Sequence, residues 1–201
     1  MAVLNARALR YPFTSEQILP LEAGQFVSVS GMLVTARDRI HRFLFDGGKC
    51  PVNLKDGGIY HCGPVTIRQE GAWIVRAAGP TTSAREEPYL PRVIKQHGVR
   101  VVIGKGWMGP RMEAACVESG CVYLHAVGGA AQVLAGKVVA VKGVHFTREF
   151  GLTEAMWELE VSEFPAIVAI DAHGRSLLKR VQTLSRRHVK RVVQTGDRFE
   201  A

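Results

Sequence analysis

Apolar and polar residues alternate in short runs along most of the chain, and glycine interrupts these runs frequently. Alternation with a period of two is typical of strands. Val27, Val29 and Leu33 follow it, and the spacing then becomes helical at Ile40 and Leu44 before two glycines. The first long strand is therefore predicted to lead into a short helix. Further strands are predicted over residues 59–62, 72–78, 100–103, 121–126, 138–141, 156–161 and 166–170.

Helical spacing predicts three more helices, over residues 91–97, 112–118 and 176–192. The first of them begins after a proline and ends at Gly98, as helices commonly do. The last carries one apolar stripe with arginines and lysines elsewhere, so it is predicted to be amphipathic. Strands that alternate with helices indicate a layered α/β or α+β domain, and the periodicity does not choose between the two.

Length and charge narrow the classes of protein to consider. The 201 residues suffice for one compact core with a short appendage, and 47% apolar with 22% charged residues is typical of a globular domain. The net charge of +8 first favours a nucleic-acid binder. Eight basic and two acidic residues lie from Arg175 onward, however, which leaves only +2 for the preceding 174 residues. Phe199 is the one aromatic residue of this basic tail, which argues against nucleic-acid binding.

Cysteine content and hydropathy bear on the compartment. Cys50, Cys62, Cys116 and Cys121 are too few for a disulfide framework, and no leader-like segment opens the sequence. A cytoplasmic location is therefore expected. The longest weakly charged stretch, residues 122–136, is shorter than the ~20 apolar residues that span a bilayer. No association with a membrane is expected.

Residues 79–85 follow a predicted strand and combine small hydroxyl side chains with an arginine. Such hydroxyls commonly cap a helix N-terminus, which is the structural alternative here. Arg85 lies four residues beyond Thr81, so one helical turn would bring its guanidinium close to the hydroxyls and to free backbone N–H groups. This arrangement suits a carboxylate or a phosphate.

Two other segments after predicted strands carry cations. Lys105 lies between Gly104 and Gly106, where the backbone can approach a ligand closely. Arg37, Asp38 and His41 open the first helix, and their spacing would let Asp38 orient His41. A solvated turn and a capped helix start are the structural alternatives. Each segment alone is weak support for an anion site.

Taken together, the motifs at residues 79–85, 103–109, 123–131, 150–157 and 169–174 resemble a known family in their content and order. The chain is similar to the β subunit, or C-terminal domain, of class I iron–sulfur fumarate hydratases and of the related L-tartrate dehydratases. The likeness extends from about residue 24 to residue 176. Residues 35–41 also match the family's arginine-aspartate-x-x-histidine element.

The resemblance implies an α/β fold of the swivelling β/β/α type, with mixed sheets flanked by helices. The basic amphipathic C-terminal helix, predicted from its own spacing, extends past the region of closest match. Residues 1–176 would form the fumarase-type domain and residues 177–201 a basic helical extension. The implied activity is that of a hydro-lyase of the tricarboxylic acid cycle, which hydrates fumarate to (S)-malate. It would require an α subunit, in an α2β2 assembly, that carries the cysteines of a 4Fe-4S cluster. The four cysteines here lack the spacing of cluster ligands, so no metal is expected on this chain alone.

The resemblance also assigns site residues. It places the substrate carboxylates at Arg37, Thr82, Ser83, Arg85 and Lys105. Thr81 matches the proposed base, which takes the C3 proton of malate, and Asp38 and His41 would support it. An alkoxide is a demanding base near neutral pH, so Thr81 would need help from cations or a hydrogen-bonded partner.

Several residues depart from the family pattern. Glu86 and Glu87 follow Arg85 where a methionine is usual at the first position, Trp107 replaces a glycine, and Arg175 replaces an asparagine. These changes leave fumarate, tartrate and mesaconate open as substrates, and a non-catalytic binding or regulatory module is the alternative from another class. The basic C-terminal helix is expected to pack through its apolar stripe or to contact an acidic α subunit or a second copy.

Overall fold

The structure is a computed structural model that describes residues 6–195, with side chains described up to residue 189. The strands of this range are β1 (Arg7–Arg10), β2 (Phe26–Thr35), β3 (Gly58–Tyr60), β4 (Val65–Gln69), β5 (Ala72–Ala77), β6 (Val101–Gly104), β7 (Val122–His125), β8 (Val138–His145) and β9 (Met156–Ile170). Its helices are α1 (Ser15–Ile18), α2 (Asp38–Phe45), α3 (Leu90–His97), α4 (Pro110–Ser119), α5 (Ala131–Ala135), α6 (Thr147–Phe150) and α7 (Leu177–Thr195). A turn of 3-10 helix occupies Ser83–Glu86.

The main sheet closes on itself and is partly barrel-like. Strands β2, β3, β6 and β7 are parallel neighbours, and β9 runs antiparallel to both β7 and β2. The length of β9 makes this closure possible, because Ile167 pairs with His125 of β7 and also with Phe26 of β2. β1 and β8 extend the sheet beside β2 and β9, and β4 with β5 forms a separate hairpin.

The mixed α/β class predicted from the sequence is confirmed. One prediction was wrong in detail, since the two strands expected over residues 156–161 and 166–170 form the single strand β9. Its alternation of buried and exposed positions is interrupted at residues 162 and 163, which are both exposed, and the two halves therefore look separate in sequence. Strands β1 and β4 and the short helices α1, α5 and α6 were not predicted.

The core has two parts, one inside the barrel and one beneath the helices. Along β6, Val101 and Ile103 belong to the interior cluster, whereas Val102 belongs to the cluster packed against the helices. Helices α2, α3 and α4 contribute Ile40, Val93 and other residues to that second cluster. Strand β6 is therefore buried on both faces, as expected for a parallel strand covered by helices.

Helix α7 departs from the packing expected for it. Leu177 and Val181, at the start of its apolar stripe, line a cavity with Ile167 and Ala169 of β9. Leu184, further along the stripe, is 57% accessible, so within the described side chains the stripe packs against the domain only at its start. Lys179, in the first turn of α7, also pairs with Glu113 of α4. Of the predicted basic extension over residues 177–201, residues 196–201 lie outside the described range. No helix within residues 6–195 has the length and apolarity needed to cross a membrane.

Candidate active site

Four parallel strands stop at the same end of the barrel, which we call the carboxyl edge. β2 ends at Thr35, β3 at Tyr60, β6 at Gly104 and β7 at His125. The segments that follow these strands carry Arg37, His61, Lys105 and Gly128 in turn. Parallel strands commonly form ligand sites at their carboxyl ends. The topology thus brings three of the predicted segments, widely separated in sequence, to one edge.

The segment at residues 79–85, here the threonine loop, joins this edge through the backbone. The N–H of Thr81 donates to the carbonyl of His61 at 2.7 Å. Lys105 donates its N–H to the carbonyl of Thr81 at 3.2 Å, and Ser83 donates its N–H to the carbonyl of Lys105 at 3.0 Å. The threonine loop and the lysine loop, residues 104–109, therefore lie side by side as a short parallel bridge.

A buried hydrogen bond joins the threonine loop to His61, and the lysine loop packs closely against the same serine. Ser83 is fully buried, and its Oγ shares a hydrogen bond of 2.8 Å with His61 Nδ1. A Cβ at Gly104 would lie only 1.8 Å from that Oγ, so the two loops meet at a point where only glycine fits. A direct contact of Ser83 with substrate, as predicted, would require its hydroxyl to leave His61. Thr82 is exposed and makes no side-chain capping bond to the 3-10 turn.

Two ion pairs flank the threonine loop. Arg85 Nη2 lies 3.0 Å from Asp38 Oδ2, and Arg37 Nη2 lies 3.2 Å from Glu154 Oε1. The Arg85 side chain is 48% exposed and that of Arg37 only 20% exposed. Because Arg85 is the more accessible of the two, it is better placed to exchange its carboxylate partner for an incoming anion.

Lys105 differs from both arginines. It is half-buried, and within the described part of the chain it forms no ion pair. Gly128 lies beside its stem, since a Cβ there would come within 3.5 Å of Lys105 Cδ. The backbone of Lys105 thus pairs with that of Thr81, while its side chain has no carboxylate partner among the described residues. This is the position at which an anionic ligand would gain most from a point charge.

A layer of neutral imidazoles lies below the ion pairs. His41 and His61 are fully buried, with ring centroids 4.9 Å apart in an edge-to-face arrangement. Burial lowers the pKa of His41 to about 4 and lowers the pKa of His61 well below its ordinary value. Neither ring nitrogen of His41 has a hydrogen-bond partner. The predicted orienting contact from Asp38 is therefore not formed, because the Asp38 carboxylate is taken by Arg85.

Thr81, the predicted base, has a side-chain hydroxyl that is buried without a hydrogen-bond partner. Its backbone is fixed at both ends, by His61 on one side and by Lys105 on the other. A buried hydroxyl without a partner is unusual, because the missing hydrogen bond costs about 1–3 kcal/mol. Such groups are concentrated where a ligand or an ordered water supplies the missing bond.

The two glutamates after Arg85 have different surroundings. Glu87 is a helix cap, and its carboxylate accepts N–H bonds from Gly109 at 2.8 Å, Arg111 at 3.1 Å and Met112 at 3.3 Å at the start of α4. Glu86 is fully buried, and neither of its carboxyl oxygens has a partner. Burial, reinforced by Asp38, raises the pKa of Glu86 to about 8. Neither residue therefore presents a free negative charge to the edge at neutral pH.

The other two departures from the family pattern lie near α7. Trp107 is 49% exposed and lines an apolar cavity of about 220 Å³ together with His125, Leu177 and Leu178. Arg175 Nε lies 2.7 Å from the buried Asp171 carboxylate, which also accepts the backbone N–H of Arg175 at 3.0 Å. Arg175 is thus a structural residue of the turn after β9.

The cysteines do not fit a cluster site. Cys116 and Cys121 are buried with their sulfurs 3.8 Å apart, and Cys50 and Cys62 are also unpaired thiols. Burial raises the pKa of Cys62 to about 12, which opposes the thiolate form that binds iron. Within residues 6–195, no three His, Cys, Asp or Glu side chains are grouped so as to hold a metal ion.

Comparison with known proteins shows the family of the chain. The model of the family described as "Fumarase C-terminus" matches residues 4–181. The chain belongs to this family. It is 49% identical over 178 residues to a Geobacillus stearothermophilus protein named as a class I fumarate hydratase, covering 88% of this chain and 34% of the relative. The chain thus spans about a third of the length of that relative.

Two further relatives of the fumarase C-terminal family are nearly matched in length. A protein named as an L(+)-tartrate dehydratase β subunit from Methanocaldococcus jannaschii is 38% identical over 173 residues, which cover 84% of this chain and 89% of the relative. The L(+)-tartrate dehydratase β subunit of Escherichia coli K12 is 36% identical over 174 residues, covering 86% of each chain. The family's named members are thus subunits or domains of hydro-lyases.

Sequence reasoning missed three residues of this site. His61 follows β3 directly, but it lay inside the strand predicted over residues 59–62, which hid its position at a strand end. Glu154 lies within the matched segment 150–157, but nothing in the sequence links it to Arg37, 117 positions earlier. Glu86 was noticed only as a departure from the family pattern. Its burial depends on the 3-10 turn, which the sequence did not predict.

Proposed function

We propose that this chain is the β subunit of an iron–sulfur hydro-lyase that reversibly hydrates fumarate to (S)-malate. Support comes from the family match and from two relatives of similar length whose names call them β subunits. An α subunit would complete the enzyme, in an α2β2 assembly in the cytoplasm. Light scattering of the co-expressed chains tests the stoichiometry, and fractionation of the host cell tests the location.

One observation carries the proposal, which is the backbone pairing of the threonine loop with Lys105 at the carboxyl edge. This pairing places Thr81, whose hydroxyl has no partner, beside Lys105, whose ammonium group has no ion pair within the described residues. Arg85 and Arg37 flank them in the two ion pairs. A C4 dicarboxylate carries two negative charges, so an edge with three cations matches its chemistry.

The cations of the carboxyl edge would each have a separate role in substrate binding. Lys105 would hold one substrate carboxylate as a point charge. Arg85 would bind the other carboxylate through its planar guanidinium, which Asp38 and the substrate would then share. Arg37, more buried, and the exposed Thr82 would add contacts from the two sides. Removing a proton next to a carboxylate concentrates charge on that carboxylate in the transition state. Cations fixed in advance by backbone bonds would therefore stabilise that state more than the ground state.

Thr81 would take the C3 proton of malate at its Oγ1. The 4Fe-4S cluster, proposed to be carried by the α subunit, would supply Lewis acidity to the departing hydroxyl. The alkoxide form of Thr81 would be favoured by Lys105 on the paired backbone. Asp38 would contribute by holding Arg85, and His41, neutral and buried, by filling the space beneath the loop without adding charge.

The experiment is co-expression of this chain with an α-type chain that carries three dispersed cysteines, followed by anaerobic cluster reconstitution. Malate dehydration is then followed through the absorbance of fumarate. We expect turnover that neither chain supports alone. Assembled, cluster-loaded protein that turns over no C4 or C5 dicarboxylate would favour the non-catalytic module instead.

Tartrate is the second candidate substrate, because the two relatives of similar length are named for L(+)-tartrate dehydratase. The same preparation should be assayed with L(+)-tartrate and with mesaconate, and the kcat/KM values compared. A higher kcat/KM for tartrate than for malate would make tartrate dehydration the proposed activity instead. The proposed roles of Thr81, Arg85 and Lys105 would remain, since all three substrates are dianions.

A further inference from the structure

Glu86 is the most unusual ionisable residue at the carboxyl edge. It belongs to the same 3-10 turn as Arg85, yet its side chain is fully buried while that of Arg85 is 48% exposed. Both of its carboxyl oxygens lack hydrogen-bond partners. Glu87, one residue later, accepts three backbone N–H bonds. The fold thus provides donors for one glutamate and none for its neighbour.

The charged groups around Glu86 come from three separate segments. Arg37 and Asp38 lie at the start of α2, Arg85 lies in the same 3-10 turn, and Glu154 precedes β9. Asp38 and Glu154 disfavour a further negative charge, whereas Arg85 and Arg37 favour it. Each arginine already pairs with one of these two carboxylates. Little attraction therefore remains to stabilise an ionised Glu86.

The protonation state of Glu86 follows from its burial without hydrogen-bond donors. A buried carboxylate without hydrogen-bond donors loses its hydration and gains nothing in return, so such groups keep their proton. The charge of the edge depends on this proton. Arg37 and Arg85 pair with the carboxylates of Glu154 and Asp38, and Lys105 adds a third cation, so these five side chains have one net positive charge while Glu86 is neutral. Ionisation of Glu86 would cancel that charge.

We propose that Glu86 is held as a neutral acid beneath the anion site, and that its ionisation sets the upper pH limit for binding of a dicarboxylate. This inference rests on the proposed function of the carboxyl edge. Glu86 touches no substrate here; it is a positioning residue that acts through the net charge around Arg85 and Lys105. The pKa of about 8 to which burial raises Glu86 places the transition just above neutrality.

The test uses the assembled α and β chains and succinate, a C4 dianion without the reactive double bond. Its dissociation constant is measured by calorimetry between pH 6 and pH 9.5 for the wild type, Glu86→Gln and Glu87→Gln. The wild type should lose on the order of tenfold in affinity as Glu86 ionises. Glu86→Gln, which keeps the shape of the neutral acid, should bind with nearly constant affinity. Glu87→Gln should retain the loss.

Three results would overturn the inference. They are a wild-type affinity that does not change with pH, a Glu86→Gln affinity that falls as the wild type does, and a Glu87→Gln affinity that no longer falls. Should Glu86→Gln not assemble, Glu86→Met offers an apolar side chain of similar length, and the same constant affinity is expected of it. Absence of succinate binding at every pH would instead contradict the proposed function itself, and the inference with it.

A second readout does not depend on binding. Difference infrared spectra of the full-length β chain, wild type minus Glu86→Gln, should show the carbonyl band of a protonated carboxyl at pH 6. That band should disappear as the pH passes about 8. Its absence at pH 6 would overturn the inference even where succinate binds well. If the band is present but succinate binding does not change with pH, the proton on Glu86 does not control binding of the ligand.

Discussion

The carboxyl edge and helix α7 both carry positive charge, but the cations of the edge are held by neighbouring groups whereas those of α7 are exposed. Lys105 and Arg85 are fixed by paired backbone and by an ion pair with Asp38. The side chains at positions 181–189 of α7, which include Arg186 and Arg187, are all exposed. The comparison teaches that the number of charges says little about where an anion binds. Fixed orientation next to a hydroxyl without a partner says more.

The largest combined loss of stability and turnover at a single pH should come from breaking the contact that fixes the carboxyl edge. In Gly104→Ala the new Cβ would lie 1.8 Å from Ser83 Oγ, so the threonine and lysine loops must separate. Chemical denaturation should show a loss of about 1–3 kcal/mol in the free energy of unfolding. Turnover of the assembled enzyme should fall about a hundredfold, because displaced groups lose their alignment.

Gly136→Ala is the matched control for that substitution. Gly136 has φ −64 and its added Cβ would approach no atom closer than 3.4 Å, so stability and turnover should stay close to those of the wild type. Equal behaviour of the two variants would mean that the contact between Ser83 and Gly104 does not hold the site together.

Removal of one cation from each region compares them directly. Lys105→Ala should lower kcat/KM for malate about a hundredfold, because it removes the charge-assisted contact proposed between Lys105 and a substrate carboxylate. Arg186→Ala removes an exposed charge of α7 and should leave kcat/KM within twofold of the wild type. The steady-state rates of both assembled variants provide the measurement. A larger loss in Arg186→Ala than in Lys105→Ala would reverse the assignment.

Glu86 should make the unfolding free energy of this chain depend on pH. This effect can be measured without a partner chain. The pKa of Glu86 is raised from 4.5 to about 8 in the folded state, so its stabilising contribution is complete below pH 4.5 and is lost as the pH rises to about 8. Between these values the unfolding free energy of the wild type relative to Glu86→Gln should fall by about 1.4 kcal/mol per pH unit. Denaturant titrations at several pH values measure this slope. A constant difference would show that Glu86 ionises normally.

A smaller effect is expected at the hydrogen bond between Ser83 and His61. Ser83→Ala removes the partner of His61 Nδ1 at a fully buried position, which should cost about 1–2 kcal/mol of stability. Ser162→Ala, at an exposed position of β9, is the control and should change stability by less than about 0.5 kcal/mol. Thermal unfolding of the three proteins separates these values. An unaltered Ser83→Ala would mean that the bond is not a stabilising contact.

The smallest effect should come from the apolar stripe of α7. Leu184 is 57% exposed in the described chain, so Leu184→Ser should change the unfolding free energy of the β chain by less than about 0.5 kcal/mol. Its unfolding curve should overlay that of the wild type. A loss of more than about 1 kcal/mol would show that the stripe is packed in solution.

Much of the fold could be predicted from sequence because strands buried on both faces or on one have clear apolar patterns. β6 and β7 were found within one or two residues of their ends. Strand β4 was missed because four of its five residues are exposed and its alternation is correspondingly weak. The closure of the barrel could not be predicted, since it depends on the two partners of Ile167, which are distant in sequence.

The candidate site was predictable in its residue types but not in its contacts. Lys105 and Arg85 were recognised because glycines and hydroxyls adjoin them after strands. The pairing of Arg85 with Asp38 was not, because nothing local distinguishes Asp38 bound to Arg85 from Asp38 bound to His41. The neutral form of Glu86 also depends on burial, which a single sequence does not reveal for an acidic residue beside an arginine.

The most direct test of the central claim is a crystal structure of the assembled α and β chains with succinate bound. We expect one carboxylate within hydrogen-bond distance of Lys105 Nζ and the other within reach of the Arg85 guanidinium, with Thr81 Oγ1 facing the carbon chain between them. Succinate bound along the basic face of α7, or away from the threonine loop altogether, would contradict it.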